Sequence, residues 1–256
     1  MINGQKVVVV MPAYNAERTI QKTWREVVEQ EAVDLVIVVD DASHDATFEL
    51  ARGLEKVVAH AHPANRGYGA NQKTCYRLAL EHGADIVVMV HPDYQYTPKL
   101  IPAMAGLVAS RLYPCVLGSR ILGGQALKGG MPIWRYIANR GLTLAGNVLL
   151  GTKVSEFHTG YRAFSRNLLE QLPLEGNSDD FVFDNEVLAQ VAWLGYGIGE
   201  ISCPTSYAPE ASSINFRRSV RYGFGCLGTA IAFRFAKWGL LQSRRFPRPT
   251  LAAVKA

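Results

Sequence analysis

The run of five apolar residues from Ile86 to Val90 constrains the fold most, because it stops abruptly at a polar cluster. The run is rich in valine and bounded by a glycine and a proline, a pattern that predicts a strand buried on both faces of a parallel sheet. Ligands of open α/β sheets bind at the carboxyl ends of the strands. The polar residues that follow, His91, Asp93 and Gln95, are therefore predicted to lie at a binding edge.

These three side chains offer an imidazole nitrogen, a carboxylate oxygen and an amide carbonyl oxygen, on alternate residues that can point the same way. Such a set suits a divalent ion of the Mn²⁺ or Mg²⁺ type, so His91, Asp93 and Gln95 are candidate metal ligands. A polar turn with Pro92 and Asp93 at its corner explains the same residues without any ligand.

Further apolar runs predict a mostly parallel α/β sheet with helices on both faces. The first strand should end at Pro12, and Asn15 can cap the helix that follows, with Glu17 in its first turn. Cys115 to Arg120 is predicted to be a strand that brings Arg120 to the same edge. Other strands are predicted at residues 35–39, 56–61, 155–164 and 199–204, and helices at 46–53, 69–82, 98–111 and 134–150, with another from about 177 to 193 and a last one from 216 to 241.

An acidic cluster follows the second predicted strand. Asp40 and Asp41 begin it, and three carboxylates and two hydroxyls occur within eight residues, enough to accept hydrogen bonds from a base or a ribose. Ser43 or Asp45 can also cap the next helix, which is compatible with binding by the other two acids. The later loop around Gly67 lacks the third glycine of a dinucleotide fingerprint, and no P-loop motif occurs. Nicotinamide binding and P-loop ATP hydrolysis are therefore disfavoured.

Composition indicates a globular protein in a reducing compartment. Hydrophobic residues make up 48% of the chain and charged residues 19%. The four cysteines are spread singly, which indicates neither a zinc site nor a disulfide framework. The amino terminus lacks the charged and apolar regions of a signal peptide. We expect a cytoplasmic location, with peripheral contact on the inner face of a membrane as an addition to it.

Positive charge is concentrated in the last 46 residues. Nine of the 27 Lys and Arg residues lie after residue 210 and none of the 22 acids does, so the rest of the chain has a net charge of −4. We therefore divide the chain into a domain at 1–210 and a basic amphipathic helix and tail at 211–256. This pattern argues against a general nucleic-acid-binding surface and favours a local anionic partner, although a solvated basic tail is the simpler alternative.

The last predicted helix carries apolar residues at helical spacing: Phe224, Leu227, Ile231, Phe235 and Trp238. Only twelve residues separate Arg221 from Arg234, too few for a spanning helix, which needs about 20 apolar residues. The helix is predicted either to lie in the headgroup region of an anionic leaflet or to pack on the domain's own core.

Five motifs follow one another along the chain: Pro12-Ala-Tyr-Asn15, Val39-Asp-Asp-Ala-Ser-His-Asp-Ala-Thr47, Asn65-Arg-Gly67, the strand end at Asp93, and Gly118-Ser-Arg120. Taken in order, they resemble the motifs of the family 2 glycosyltransferases, and within them those of the dolichol- or polyprenyl-phosphate sugar synthases. The resemblance covers about residues 5–205 and implies a GT-A fold, an inverting displacement on a nucleotide-activated sugar, and a divalent metal on its diphosphate.

The resemblance also implies roles for individual residues. The nucleoside would be met by Asp40 and Asp41, with Pro12, Tyr14 and Glu17 beside it. Asp93 matches the last carboxylate of the D-x-D motif, Gln95 a further metal-side position, and Arg120 a position near the diphosphate or sugar. Asp184 matches the aspartate of an E-D motif. Apart from the resemblance, the chemistry itself calls for positive charge on the departing diphosphate, which Arg217 or Arg218 of the basic segment could add to that of the metal and Arg120.

Two departures from the family pattern matter. His91 stands at the first position of D-x-D, which tilts metal preference from Mg²⁺ toward Mn²⁺ and leaves open whether a metal is needed. The Q-x-x-R-W mark of processive synthases is absent, so transfer of a single sugar is expected. The predicted function is transfer from a UDP- or GDP-sugar to a polyprenyl phosphate at an anionic membrane surface.

Other functions stay open at the level of sequence. A phosphate acceptor is already ionised, whereas a hydroxyl of a glycan, lipid or small molecule needs a general base. Asp184 is then the first candidate and Asp179, Asp180 and Glu186 are others, although acidic side chains at a helix start explain all four. A catalytically silent nucleotide-sugar-binding protein fits His91. A nucleotidyltransferase would need a basic, glycine-rich loop after the first strand, which Pro12-Ala-Tyr-Asn15 is not.

Overall fold

The computed structural model describes residues 1–204 and 216–247. Its strands are β1 (Val7–Ala13), β2 (Leu35–Asp40), β3 (Val57–Ala61), β4 (Ile86–Met89), β5 (Cys115–Ser119), β6 (Arg162–Ser165) and β7 (Ile198–Ser202). Its helices are α1 (Ile20–Val28), α2 (Thr47–Arg52), α3 (Tyr68–Glu81), α4 (Ile101–Ala109), α5 (Ile133–Leu150), α6 (Arg166–Gln171), α7 (Phe183–Trp193) and α8 (Phe216–Lys237). Short 3₁₀ helices span Pro98–Leu100 and Leu174–Gly176.

The strands form one sheet in the order β3-β2-β1-β4-β6-β5-β7, in which β6 alone runs antiparallel to its neighbours. Alternate residues of β1 enter different cores: Val8 and Val10 face one, and Val7 and Val9 face the other. Helices α3, α7 and α8 cover the first core, while α1 and α4 cover the second. The prediction of a mostly parallel sheet with buried central strands is confirmed.

The first strand runs further than predicted. Pro12 does not end β1, because it pairs in register with Val39 of β2 and the strand continues to Ala13. Only Val7 to Val10 pair with β4, so β1 has a single neighbouring strand at Pro12. A residue without an N–H group is tolerated at such a position.

The prediction that Asn15 caps α1 is wrong, because the helix begins five residues later at Ile20. Asn15 instead has a φ of 49°, and its side-chain oxygen accepts a hydrogen bond from the backbone N–H of His44. The Ala16 N–H donates to the Thr47 hydroxyl at 2.7 Å. These contacts tie the loop after β1 to the loop after β2, which fixes both loops at the binding edge.

Two other segments differ from prediction. Only the last three residues of the predicted 155–164 strand belong to β6, which spans Arg162–Ser165. The helix predicted from residue 177 begins at Phe183. At the start of α2, the Asp45 carboxylate accepts the Thr47 N–H at 3.0 Å, whereas the Ser43 hydroxyl donates to Asp40. Asp45, not Ser43, therefore satisfies a backbone donor at that helix end.

Helix α8 packs against α5 and α7 and buries a stripe made of Cys226, Thr229, Ala230 and Phe233. The residues predicted from helical spacing lie largely on its opposite face, where Phe224 is 72% exposed and Ile231 and Phe235 are also exposed. Trp238, 62% exposed, directly follows the last residue of the helix. The helix therefore packs on the core and also leaves an apolar face open. The predicted domain boundary at residues 210–211 lies outside the described residues. Across residues 1–204 and 216–247, no helix combines the length and apolar character needed to cross a bilayer.

Candidate active site

A cavity of about 620 Å³ lies at the carboxyl ends of β1, β2, β4 and β5 and is closed on one side by α5 and α8. Both helices contribute to its wall, α5 through Trp134 and Arg135 and α8 through Ser219 and Tyr222. Most of the predicted site residues line it: Pro12, Tyr14, Asp41, His91, Asp93, Gln95, Arg120, Asp184 and Arg218.

Three predicted residues do not line this cavity. The Asp40 carboxylate accepts hydrogen bonds from the hydroxyl and the N–H of Ser43, and the Glu17 carboxylate accepts the Ala46 N–H at 3.1 Å. Arg217 is exposed on α8. Asp40 and Glu17 therefore hold the loops that shape the edge, and a direct contact of these three residues with a donor stays a prediction.

Asp41 organises the glycine-containing loop. Its two carboxylate oxygens accept the N–H groups of Arg66 and Gly67, both at 2.9 Å. His62 Nδ1 lies 2.8 Å from the same carboxylate, and both side chains are almost fully buried. Gly67 has a φ of +95°, and a Cβ there would lie 2.5 Å from the carbonyl oxygen of Asp179. The loop can approach that backbone only because residue 67 is glycine.

Arg120 is held by a residue that the sequence did not reveal. Its guanidinium forms an ion pair with Glu156, which is fully buried, and its backbone N–H donates to the same carboxylate at 2.8 Å. Asn139 of α5 donates to Glu156 at 2.7 Å. Burial by itself raises the pKa of Glu156, but the charge and hydrogen bonds of Arg120 outweigh it and hold that pKa below its usual value. Arg120 is thus presented to the cavity by an ionised carboxylate.

Asp184 is surrounded by donors. Its Oδ2 accepts the Tyr68 hydroxyl at 2.9 Å, and its Oδ1 accepts Gln72 Nε2 at 2.9 Å. Arg162, fully buried, lies 3.4 Å from Oδ1 and donates to the Asp184 carbonyl oxygen at 2.7 Å. Burial lowers the pKa of Arg162, but the Asp184 charge outweighs that effect and raises it. Both oxygens of the Asp184 carboxylate are therefore engaged by donors from neighbouring side chains.

His158 is another residue that sequence reasoning missed. Its Nδ1 lies 2.7 Å from the Tyr222 hydroxyl of α8, and its Nε2 has no hydrogen-bond partner in the described part of the chain. Burial, together with the nearby arginines and against the pull of Glu156, lowers the pKa of His158 to about 4. His158 is thus neutral at physiological pH and joins the cavity wall to the basic helix.

The donor set at the strand end fits a metal that arrives with a diphosphate. No group of three His, Cys, Asp or Glu side chains suited to a metal occurs within residues 1–204 and 216–247. His91, Asp93 and the Gln95 amide nevertheless share one wall of the cavity. Mg²⁺ and similar ions are commonly held by one or two carboxylates plus substrate phosphates rather than by an all-protein cage. These residues would then hold the protein side of the coordination shell.

The chain belongs to glycosyl transferase family 2, whose pattern matches residues 8–173. It is a glycosyltransferase with the GT-A fold. The fold is similar to that of glucosyl-3-phosphoglycerate synthase from Mycobacterium tuberculosis, solved with Mn²⁺ and UDP, at a TM-score of 0.67 and 20% identity. That match covers 94% of this chain and 82% of the other. The resemblance seen in the sequence motifs is thereby confirmed at the level of family and fold.

Two relatives share most of their length with this chain. UDP-N-acetylglucosamine-dolichyl-phosphate N-acetylglucosaminyltransferase of Methanococcus voltae is 29% identical, over 78% of this chain and 86% of its own length. Undecaprenyl-phosphate mannosyltransferase of Micrococcus luteus is 27% identical, over 92% of this chain and 94% of its own length. Both names describe transfer to a polyprenyl-type phosphate.

Proposed function

We propose that this glycosyltransferase moves a single sugar, with inversion, from a nucleotide-diphospho-sugar to a polyprenyl phosphate at a membrane surface. The observation that carries the proposal is the composition of the cavity wall. One side has the carboxylates Asp41 and Asp93 at the strand ends, and the other has Arg135 and Arg218 on α5 and α8. A donor with a nucleoside and a diphosphate suits the first side, and an anionic acceptor suits the second.

The chemistry follows from these charges. An oxygen of the acceptor phosphate attacks the anomeric carbon, and the bond from that carbon to the β-phosphate oxygen breaks, so the nucleoside diphosphate leaves with the electron pair. A divalent cation bound with the donor would neutralise charge on the departing diphosphate. Arg120, oriented by Glu156, would add a fixed positive charge to the same group. A phosphate nucleophile needs no general base.

The surfaces of α5 and α8 support a membrane partner. The segments 121–155 and 216–247 contain no Asp or Glu, yet they contain eleven Lys and Arg residues. Helix α5 packs against α8, and each leaves large apolar side chains exposed. An acid-free surface with apolar and basic residues suits the headgroup region of an anionic bilayer. The exposed side chains are Ile133, Ile137, Leu144 and Val148 on α5, and Val220, Phe224, Ile231 and Phe235 on α8.

Transfer to a hydroxyl is the second candidate, because Asp184 lines the cavity where a base would act. A matched pair of acceptors separates the two candidates: a short polyprenyl phosphate and the polyprenol of the same chain length. Each is incubated with labelled UDP- and GDP-sugars and Mn²⁺ or Mg²⁺. We expect labelled lipid only from the phosphate. Product from the alcohol alone would contradict a phosphate acceptor, and no nucleoside diphosphate released with any donor would contradict the donor class.

The membrane surface is tested separately by sedimentation with phosphatidylglycerol vesicles. Phe224→Glu on α8 should lower the bound fraction at low salt, because it places a charge on an exposed apolar face. Leu112→Glu is the matched control, since Leu112 is also 72% exposed but lies between α4 and β5. Equal loss of binding in both variants, or none in either, would contradict the assignment of this surface.

A further inference from the structure

The His91 ring is held in a fixed orientation by its neighbours. It stacks on Tyr68, with ring centroids 5.6 Å apart and planes 18° from parallel. On the Nε2 side it faces Gly160, where a Cβ atom would lie 2.2 Å from Nε2. Only glycine at position 160 leaves room for this ring position. His91 is thus built into the wall and is not a side chain free to turn in a loop.

Proton counting fixes which nitrogen of His91 carries a hydrogen. Tyr68 has one hydroxyl proton, and it is donated to the Asp184 carboxylate, which can only accept. His91 Nε2 lies 3.1 Å from the same Tyr68 oxygen. That oxygen has no proton left to give, so the proton between the two atoms must belong to Nε2. In the neutral imidazole, Nδ1 then carries the lone pair.

Both ends of this arrangement are anchored. Gln72 donates to the other oxygen of Asp184, and the buried Arg162 lies beside it, so the carboxylate stays an acceptor. Phe181 stacks on the other side of the Tyr68 ring at 4.9 Å. The tyrosine has little freedom to point its hydroxyl elsewhere.

We propose that Tyr68 is a positioning residue that holds His91 as the Nε2–H tautomer and so directs the Nδ1 lone pair to the metal that accompanies the donor diphosphate. Asp184 anchors Tyr68 in this relay. The inference rests on the proposed function, because the metal enters with the nucleotide-sugar donor. It accounts for histidine at the first D-x-D position: imidazole serves as a ligand there because a tyrosine and a carboxylate fix its tautomer.

Partners of this kind around a ligating histidine change metal affinity by about 10- to 100-fold when removed. Tyr68→Phe keeps the stacked ring and removes only the hydroxyl. Mn²⁺ binding is measured by the loss of the free-ion EPR signal, in the presence of UDP and separately of GDP. We expect Tyr68→Phe to raise the Kd for Mn²⁺ about 10- to 100-fold. Tyr196→Phe is the control, because its hydroxyl contacts Gln171 on the exposed surface.

Two further measurements keep the proposal falsifiable. In the His91→Asp background, the Tyr68→Phe change should alter Mn²⁺ affinity less than threefold, because a carboxylate has no tautomer to fix. Nitrogen-15 NMR of the imidazole, assigned with His91→Gln, should show the Nε2–H form in the unmodified protein. A Nδ1–H form, a Tyr68→Phe affinity within twofold of the original, or no Mn²⁺ binding with either nucleotide would overturn the relay. Failure of sugar transfer to polyprenyl phosphate with these Mn²⁺ results intact would instead overturn the proposed function.

Discussion

The ion pair between Glu156 and Arg120 gives the sharpest test of how the site is held together. The Glu156 carboxylate accepts three side-chain donors, from the Arg120 Nε and Nη2 atoms and from Asn139, and also the Arg120 N–H. Glu156→Gln keeps the volume and one acceptor oxygen but removes the charge. The amide N–H₂ group that replaces one carboxylate oxygen must then face a group that is itself a hydrogen-bond donor, so that hydrogen bond is lost. The change therefore removes the Glu156 charge from this buried ion pair and also removes one of its hydrogen bonds.

The magnitude follows from burial. Removing one partner of a buried ion pair costs about 3–5 kcal/mol, and the retained acceptor places Glu156→Gln near the lower end, ~3 kcal/mol. For a chain of this size that loss corresponds to a fall in Tm of roughly 6–12 °C. Urea unfolding followed by tryptophan fluorescence should show a lower midpoint with an unchanged slope. Because Arg120 loses its orienting partner, the apparent KM for the donor should also rise.

Glu200→Gln is the matched control, since Glu200 accepts hydrogen bonds from the neighbouring Ser155, at 2.8 Å from its N–H, without a described ion pair. The donors in these bonds are neutral, so Glu200→Gln breaks no described ion pair, and weakening a charge-assisted hydrogen bond to a neutral one costs about 1 kcal/mol. The pKa of Glu156 is held below its ordinary value of 4.5, so the stability it contributes is present above that pH and is lost as the pH falls below it. If Glu156→Gln destabilised the protein no more than Glu200→Gln at pH 7, the ion-pair reasoning would be refuted.

Three further predictions concern single side chains. Asp93→Ala should abolish donor turnover with thermal stability within ~1 kcal/mol of the original; near-normal turnover in the presence of chelator would exclude a metal at this position. Asp41→Ala should raise the donor KM more than it lowers kcat, and steady-state kinetics that show the reverse would count against it. The pKa of His158 is lowered from 6.5 to about 4, so the free energy of unfolding should fall as the pH drops through that interval, by no more than ~3 kcal/mol. In His158→Gln the free energy of unfolding, measured by urea titration at pH 7 and pH 5, should depend less on pH.

The central sheet could be predicted from the sequence, because continuous valine-rich runs are typical of strands that are buried on both faces. Val7 to Val10 and Ile86 to Val90 are fully buried, and the polar residues after them reach one cavity. Loop details were beyond reach, because they depend on contacts between separate loops. The bond from His44 N–H to Asn15 joins two loops 29 residues apart, and no local pattern reveals it.

The sequence analysis also missed the buried residues that position the side chains lining the cavity. Glu156, His158 and Arg162 lie in a stretch where polar and aromatic residues alternate, which predicts one strand, whereas β6 begins only at Arg162. Arg162 and Glu156 are both fully buried, and charged residues are buried in this way only with partners from distant segments. One signal for this part of the site was present in the sequence. Residues 121–155 contain no Asp or Glu, as is also true of the basic segment that forms α8, and the structure packs α5 against α8.

The structure changes the role that the sequence motif suggested for Asp184, which was that of a candidate general base. Asp184 also has a structural task that a general base would not require, because its two oxygens accept hydrogen bonds from Tyr68 and Gln72 and so position both side chains. In Asp184→Asn, the amide N–H₂ must face one of these two donors, so the variant should be impaired whichever acceptor is used. If it faces Tyr68, the tyrosine proton turns to His91 and the relay reverses. Inactivity of that variant therefore cannot separate a hydroxyl acceptor from a phosphate acceptor, whereas the paired lipid acceptors can, because they differ only in the nucleophile.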